Sequence, residues 1–322
     1  MTVLGIMGES DTMSSDSGTF ITTAATSVRN DTYSRSAMIS SATFSADTSG
    51  YRLTLNDTTK TSIWVHEYVN WYATSSADYA QILIVDSSGN DIVRIDVLNG
   101  DASLQYHNGT AWIAIGSSLN LANELWTLDI EINLHDTTGR IAWYKDGNEI
   151  SSLDGDTLHR GSTGIATIVN LAGYVNYSYF SELIVADECT VGWQLATSYP
   201  TADGTNTAWT GAYGDVDDIL DDATSIHTGS IANKETYTGS SVTTTGMTVK
   251  AVVVAARARS TGTGPSNIKM DLRPGTTDYV GSSVALTPGW TSVQEVWDVD
   301  PDTSAAWSTS AATSAEFGVE SA

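Results

Sequence analysis

From Trp126 to Leu134 apolar and polar residues alternate: Trp126, Leu128, Ile130, Ile132 and Leu134 against Thr127, Asp129, Glu131 and Asn133. A period of two predicts a strand with one buried and one wet face. His135 to Gly139 supplies a turn, and Arg140 to Lys145 returns as a second strand. Asp146-Gly147 then closes tightly into Glu149-Ile150. Asp-Gly between strands favours the primed turns that match strand twist. The pattern predicts a β-meander.

The flanking chain continues in the same manner. Strand-like stretches recur at 18–22, 36–40, 51–55, 63–69, 80–86, 92–97, 104–107, 111–115, 164–169 and 177–187. Trp71 and Tyr72 extend the fourth of them, and Asn99-Gly100 and Asn108-Gly109 mark hairpin turns. Short strands at this spacing predict a β-sandwich. A composition shift follows, with an acidic run of Asp215, Asp217, Asp218, Asp221 and Asp222. Strands resume at 235–238, 248–259, 266–273, 278–281, 291–300 and 315–320. The stretch 248–259 is nearly continuous in apolar residues, so burial on both faces is expected. The expected organisation is all-β: an arm over 1–17, a β-sandwich over 18–187, an acidic linker or crossover over 188–233, and a second jelly-roll sandwich over 234–322.

Charge narrows the choice of partners. Asp and Glu number 38 against 14 Lys and Arg, a formal net charge of −24. Such a surface repels phosphate backbones, so nucleic acid is excluded as a partner. Cys189 is the only cysteine, which rules out an internal disulfide. The first residues, Met1 to Glu9, carry neither a basic region nor a long apolar core and are not read as a secretory signal. No apolar run approaches the ~20 residues of a membrane helix. Synthesis in a cytoplasm, with no membrane partner, is the expectation.

Two resemblances follow from these stretches. The order of the hairpin at Asn108-Gly109, the strand with Trp112, Trp126 to Ile132, Ile141 to Ile150 and Phe180 to Asp187 resembles the concanavalin A-like lectin/glucanase sandwich, also called laminin-G-like. The second half resembles virion structural proteins of tailed bacteriophages. That likeness is carried by Ser181 to Glu188, Val191 to Thr197, Ala208 to Gly211, the Asp215–Asp222 run, Lys250 to Arg259, Leu272 to Gly275, Pro301 to Trp307 and Glu316 to Glu320. It implies a non-enzymatic structural protein of a phage particle, made in the host bacterial cytoplasm and located in the virion. A tail- or fibre-associated position comes first; capsid decoration or a head fibre is the alternative. Its implied partners are other virion proteins, further copies of itself with a trimer favoured, and a glycan of the host surface. A plain carbohydrate-binding module is a further reading.

Candidate chemistry is sparse. Asp129 and Glu131 leave one face of a strand, as the paired carboxylates of a glycoside hydrolase do. The glucanase family's motif is Glu-x-Asp-x-x-Glu; here Asn133 stands where more acid chemistry would be needed. A solvated strand face is the expectation, no residue is assigned as catalytic, and a glycan-degrading enzyme stays only as an alternative. Trp71, Tyr72, Tyr106 and Trp112 are the candidate sugar-stacking residues, since aromatic rings offer flat apolar faces; sandwich cores use such rings just as readily. The Asp215–Asp222 run can supply oxygens to Ca2+, yet lacks the spacing of a calcium loop and reads equally as a solvated loop. No other cofactor is expected, because the histidines show no metal-ligand spacing.

Overall fold

The computed structural model describes residues 3–7, 26–28, 40–43, 50–55, 57–72, 79–98, 101–120, 124–159, 164–171, 177–217, 224–242 and 246–322. The chain divides into two units, Met1–Leu195 and Ala196–Ala322. Both are built of antiparallel strands, as the alternating pattern predicts.

The first unit opens with β1 (Val3–Met7), β2 (Thr26–Val28), β3 (Ser40–Thr43), β4 (Gly50–Thr54) and β5 (Ser62–Tyr72). Next come β6 (Tyr79–Asp86), β7 (Asp91–Leu98), β8 (Asp101–His107), β9 (Trp112–Ala114) and β10 (Leu119–Asn120). The meander is β11 (Trp126–Asn133), β12 (Gly139–Lys145) and β13 (Asn148–Gly155), followed by β14 (Ile165–Leu171) and β15 (Tyr177–Ala186). One sheet runs β13-β12-β11-β5-β15-β3-β2, with β1 also on β15. The other runs β10-β8-β7-β6-β14-β4, with β9 also on β8.

Period two fills the space between the sheets. Ile63, Val65 and Val69 of β5, Trp126, Leu128, Ile130 and Ile132 of β11, and Ile141 and Trp143 of β12 form one wall. Ile82 and Ile84 of β6, Val93, Ile95 and Val97 of β7 and Leu104 of β8 form the other. Trp143 is fully buried and still satisfies its indole: Nε1 donates to Ser151 Oγ at 2.7 Å, and Ser151 Oγ donates to the Ile115 carbonyl at 2.8 Å. The Asp146-Gly147 turn has φ of +49° and +77°, the paired left-handed geometry of a type I′ hairpin.

The expected arm over 1–17 is corrected in part. Val3–Met7 is a strand paired with Leu183–Ala186 of β15. Backbone hydrogen bonds attach it, and these leave no period in so short a run.

The second unit contains β16 (Pro200–Thr207), β17 (Lys234–Gly239), β18 (Val252–Ala258), β19 (Asn267–Arg273), β20 (Tyr279–Val280), β21 (Val284–Ala285), β22 (Thr291–Trp297) and β23 (Glu316–Ser321). A short helix, α1 (Thr309–Ser314), precedes the last strand. The larger sheet runs β16-β17-β23-β19-β20, with β21 on β19, and β18-β22 form a two-stranded sheet. Val254, Ala258 and Val293 from the small sheet meet Ile268, Met270, Leu272 and Val319 from the large one, with Trp307 and Ala315 completing the core.

Two expectations change here. The segment 188–233 is not one linker: from Ala196 it belongs to the second unit and contributes the edge strand β16. The run at 248–259 is not buried on both faces. Only Val254 and Ala258 of β18 are buried and Ala255 is exposed, because one sheet alone covers it.

Candidate functional site

Strands β7 and β8 send Val93, Ile95, Val97, Ala102 and Leu104 inward. Their intervening residues therefore stand on the face away from the core. Leu98 lies opposite Asp101, which sets Asp96 opposite Ser103 and Arg94 opposite Gln105. On β9, Trp112 lies opposite His107. One surface thus carries Arg94, Asp96, Ser103, Gln105, His107 and Trp112.

These side chains hold one another. Arg94 Nε and Nη2 both donate to Gln105 Oε1, at 3.0 and 2.9 Å. Gln105 Nε2 donates to Asp96 Oδ2 and to Ser103 Oγ, each at 3.1 Å. The Arg94 guanidinium lies 4.5 Å from the centre of the Trp112 ring, within the range of a cation–π contact. The His107 ring meets the same indole edge-on, 5.2 Å away. Gly109 N donates to His107 Nδ1 at 3.0 Å, so Nδ1 acts as the acceptor. A half-exposed indole is thereby fixed on two sides, beside an amide, a carboxylate and a hydroxyl. Rotamer entropy that a binding event would otherwise cost has already been lost in folding.

Of the four aromatic candidates, Trp112 belongs to this surface. Tyr106 does not: it packs against the core and against the His159 ring at 5.1 Å. The backbone of Trp71 and Tyr72 ends β5, opposite Ser178 and Tyr177 of β15, and their side chains lie outside the described residues. Arg94, Asp96, Gln105 and His107 escaped the sequence reading as site residues. The Asn99-Gly100 dipeptide in the sequence was the signal available, because such a pair favours a two-residue hairpin and so fixes the register that brings them together.

The paired acids behave differently from a solvated strand face. Asp129 is fully buried although it points away from the core. His66 Nδ1 lies 2.8 Å from Asp129 Oδ1, and Thr190 Oγ1 donates to that same oxygen at 2.7 Å. The stretch after β15 covers it: Lys60 Nζ pairs with Asp187 at 3.0 Å, and Trp193 N donates to the Thr190 carbonyl. Glu131 is partly exposed and committed, receiving Arg140 Nε at 3.0 Å and Tyr144 Oη at 3.1 Å. Arg140 also pairs with Asp154 and Glu149, at 2.7 and 2.6 Å. The hydrogen bond it donates to Asp154 leads the effects that hold the guanidinium pKa above its ordinary value. A sealed carboxylate beside an ion-paired one cannot flank a glycosidic bond.

In the acidic run, Asp215 ends a 3-10 turn over Tyr213–Asp215, and its Oδ2 accepts from Ala212 N at 3.0 Å. Asp217 follows, while Asp218, Asp221 and Asp222 lie outside the described residues. Among the described residues no group of three or more His, Cys, Asp or Glu side chains is placed to hold a metal. None of the described helices is long and apolar enough to cross a membrane.

No protein-family model and no curated protein matches this chain. Solved structures do resemble it in part. The cellulose-induced protein Cip1 aligns over 56% of this chain and 97% of its own, at 11% identity and a TM-score of 0.42. The globular domain of T. cruzi calreticulin aligns over 59% and 90%, at 10% identity and a TM-score of 0.45. The binding domain of Paraclostridial Mosquitocidal Protein 1 aligns over 52% of this chain but only 44% of its own, at 12% identity and a TM-score of 0.39.

Proposed function

We propose that this chain is a non-enzymatic recognition protein that binds a glycan on the outer face of β7, β8 and β9, and that it serves as a tail- or fibre-associated component of a phage particle. The observation that carries the binding reading is the fixed Trp112 indole next to Gln105, Asp96 and Arg94. A sugar ring has an apolar face and a rim of hydroxyls. An indole satisfies the first, and the partly exposed Arg94 guanidinium against it offers donors to the second, while Gln105 and the buried Asp96 hold that guanidinium in place. The particle reading is supported by the sequence resemblance of the second half. Repeated copies on a symmetric assembly would convert weak single-site contacts into avidity. The burial of Asp129 supports binding without glucanase-type cleavage.

Binding of the full chain to host-surface polysaccharides, by glycan array and affinity electrophoresis, tests the site. Trp112→Ala is expected to weaken binding about tenfold or more, equivalent to about 1.4 kcal/mol, with an unchanged melt because this residue sits half-exposed on a short outer strand. Equal binding by the variant, or none by the parent on any host glycan, would remove the reading. Electron microscopy of intact particles tests the position: labelled protein on the head lattice would replace the tail assignment with capsid decoration.

A further inference from the structure

The second unit contains a groove of about 410 Å3 lined by Thr205, Asn206, Thr207, Ala208, Ala232 and Lys234. It is built by an irregularity in the edge strand. Asp203 lies opposite Tyr237 and Thr207 opposite Glu235, so residues 204–206 of β16 stand against Thr236 alone. The bulge is tied down: Asn206 N donates to Thr236 Oγ1 at 3.0 Å, and Thr205 N and Oγ1 donate to Glu316 at 2.7 and 2.8 Å. Ala232, also in the lining, has φ of +61°, a left-handed backbone that a residue with a Cβ rarely adopts. Its N–H is held by the Ser321 carbonyl at 2.7 Å. Strain of this kind persists where the surroundings impose it, and it gathers at ligand sites.

The polar lining limits what can enter. Lys234 Nζ is 3.0 Å from Asp278 and 3.6 Å from both Asp271 and Glu320. Only the first distance is that of a hydrogen bond, so the ammonium has donors to spare. Asn206 Nδ2 donates to Asp278 Oδ1 at 3.1 Å, and no described residue donates to the oxygen of that amide. Three carboxylates around one ammonium repel an anion. Among the described residues the lining has no aromatic ring on which a planar base would stack, while Ala208 and Ala232 offer small apolar contacts. Donor and acceptor side by side suit a group that gives and takes a hydrogen bond together, which is a hydroxyl.

We propose that this groove is a second binding site, for a neutral saccharide ring whose adjacent hydroxyls are read by Asn206 and Lys234. It stands independently of the Trp112 surface. The test uses the full chain carrying Trp112→Ala, titrated with neutral methyl glycosides of glucose, galactose and N-acetylglucosamine and followed by ligand-observed NMR. Saturable binding with Kd of the order of 1 mM is expected, the weak end of the affinity scale that an open groove supports. Adding Asn206→Ala should weaken it about fivefold or more. Adding Ala208→Trp, which fills the groove without removing a hydrogen-bonding side chain, should abolish it and serves if the Asn206 variant fails to fold. Absence of binding, or binding untouched by Ala208→Trp, overturns the proposal. Failure at the Trp112 surface would show separately, as identical polysaccharide binding by the parent and the Trp112→Ala protein.

Discussion

Asp129→Ala is expected to destabilise the first unit by about 2–6 kcal/mol, about 1–3 kcal/mol for each of two buried polar groups left without the acceptor they share. Two groups lose their acceptor at once. His66, itself fully buried, stands 2.8 Å from the carboxylate, and the Thr190 hydroxyl donates to it at 2.7 Å. Neither can turn to water without lifting the segment that follows β15. For a unit of this size each kcal/mol shifts the midpoint by about 2–4 °C, so a fall of about 10 °C is expected in the transition of the first unit. Asp129→Asn keeps an acceptor oxygen for Thr190 and should cost less than half as much. Hydrogen exchange at the amides of β5 and β11 reports this unit without assuming that the two units melt together. A change below about 1 kcal/mol for Asp129→Ala would show that the cluster is dispensable for stability.

That residue also shows where the sequence is readable and where it is not. Alternation places Asp129 on the outer face of β11, and the structure agrees. Whether an outer face is wet depends on what crosses it, and Thr190 lies 61 residues further on. The meander itself is legible because three local signals coincide: period two in Trp126–Asn133, a Gly at 139, and the Asp146-Gly147 turn. Strand β16 gives no such signal. Its sequence, Pro200 to Thr207, has no large apolar residue and none of it is buried, so it reads as linker although it forms the edge of a sheet. Helix α1 escaped for a related reason. It is six residues of Ser, Thr and Ala with none buried, and its start rests on a Ser308 cap that accepts from Ala311 N. The surface at Trp112 lies between these cases. Its indole is visible as a candidate, but Arg94, Asp96 and Gln105 gain meaning only once the register across Asn99-Gly100 is fixed.

The second large effect concerns Asp271, on the outward-facing side of β19. Asp271 is fully buried, and neither carboxylate oxygen has a hydrogen-bond partner. Burial, first, and then the fields of Asp278 and Glu320 push its pKa from 3.8 up to about 6, against the pull of Lys234. At about 1.4 kcal/mol per pH unit this corresponds to about 3 kcal/mol. The sign follows from which state holds the proton. Between pH 3.8 and 6 the folded chain binds it more tightly than the unfolded chain does. Asp271 therefore costs nothing below pH 3.8, costs more as pH rises through 6, and carries its full penalty above that. Lys234 does not cancel it. Burial works against the ammonium, but the hydrogen bond to Asp278 and the fields of Asp271, Asp278 and Glu320 outweigh it and keep its pKa above the ordinary value. Asp271→Asn removes the charge while keeping the shape, so it should stabilise the second unit at pH 8 by up to about 3 kcal/mol, and the gain should vanish near pH 4. Urea unfolding followed through hydrogen exchange at β19 and β23, at both pH values, measures it. A variant less stable than the parent at pH 8 would mean that Lys234 and the carboxylate together help hold the sheet, and a gain independent of pH would mean that the effect does not come from the ionisation of Asp271.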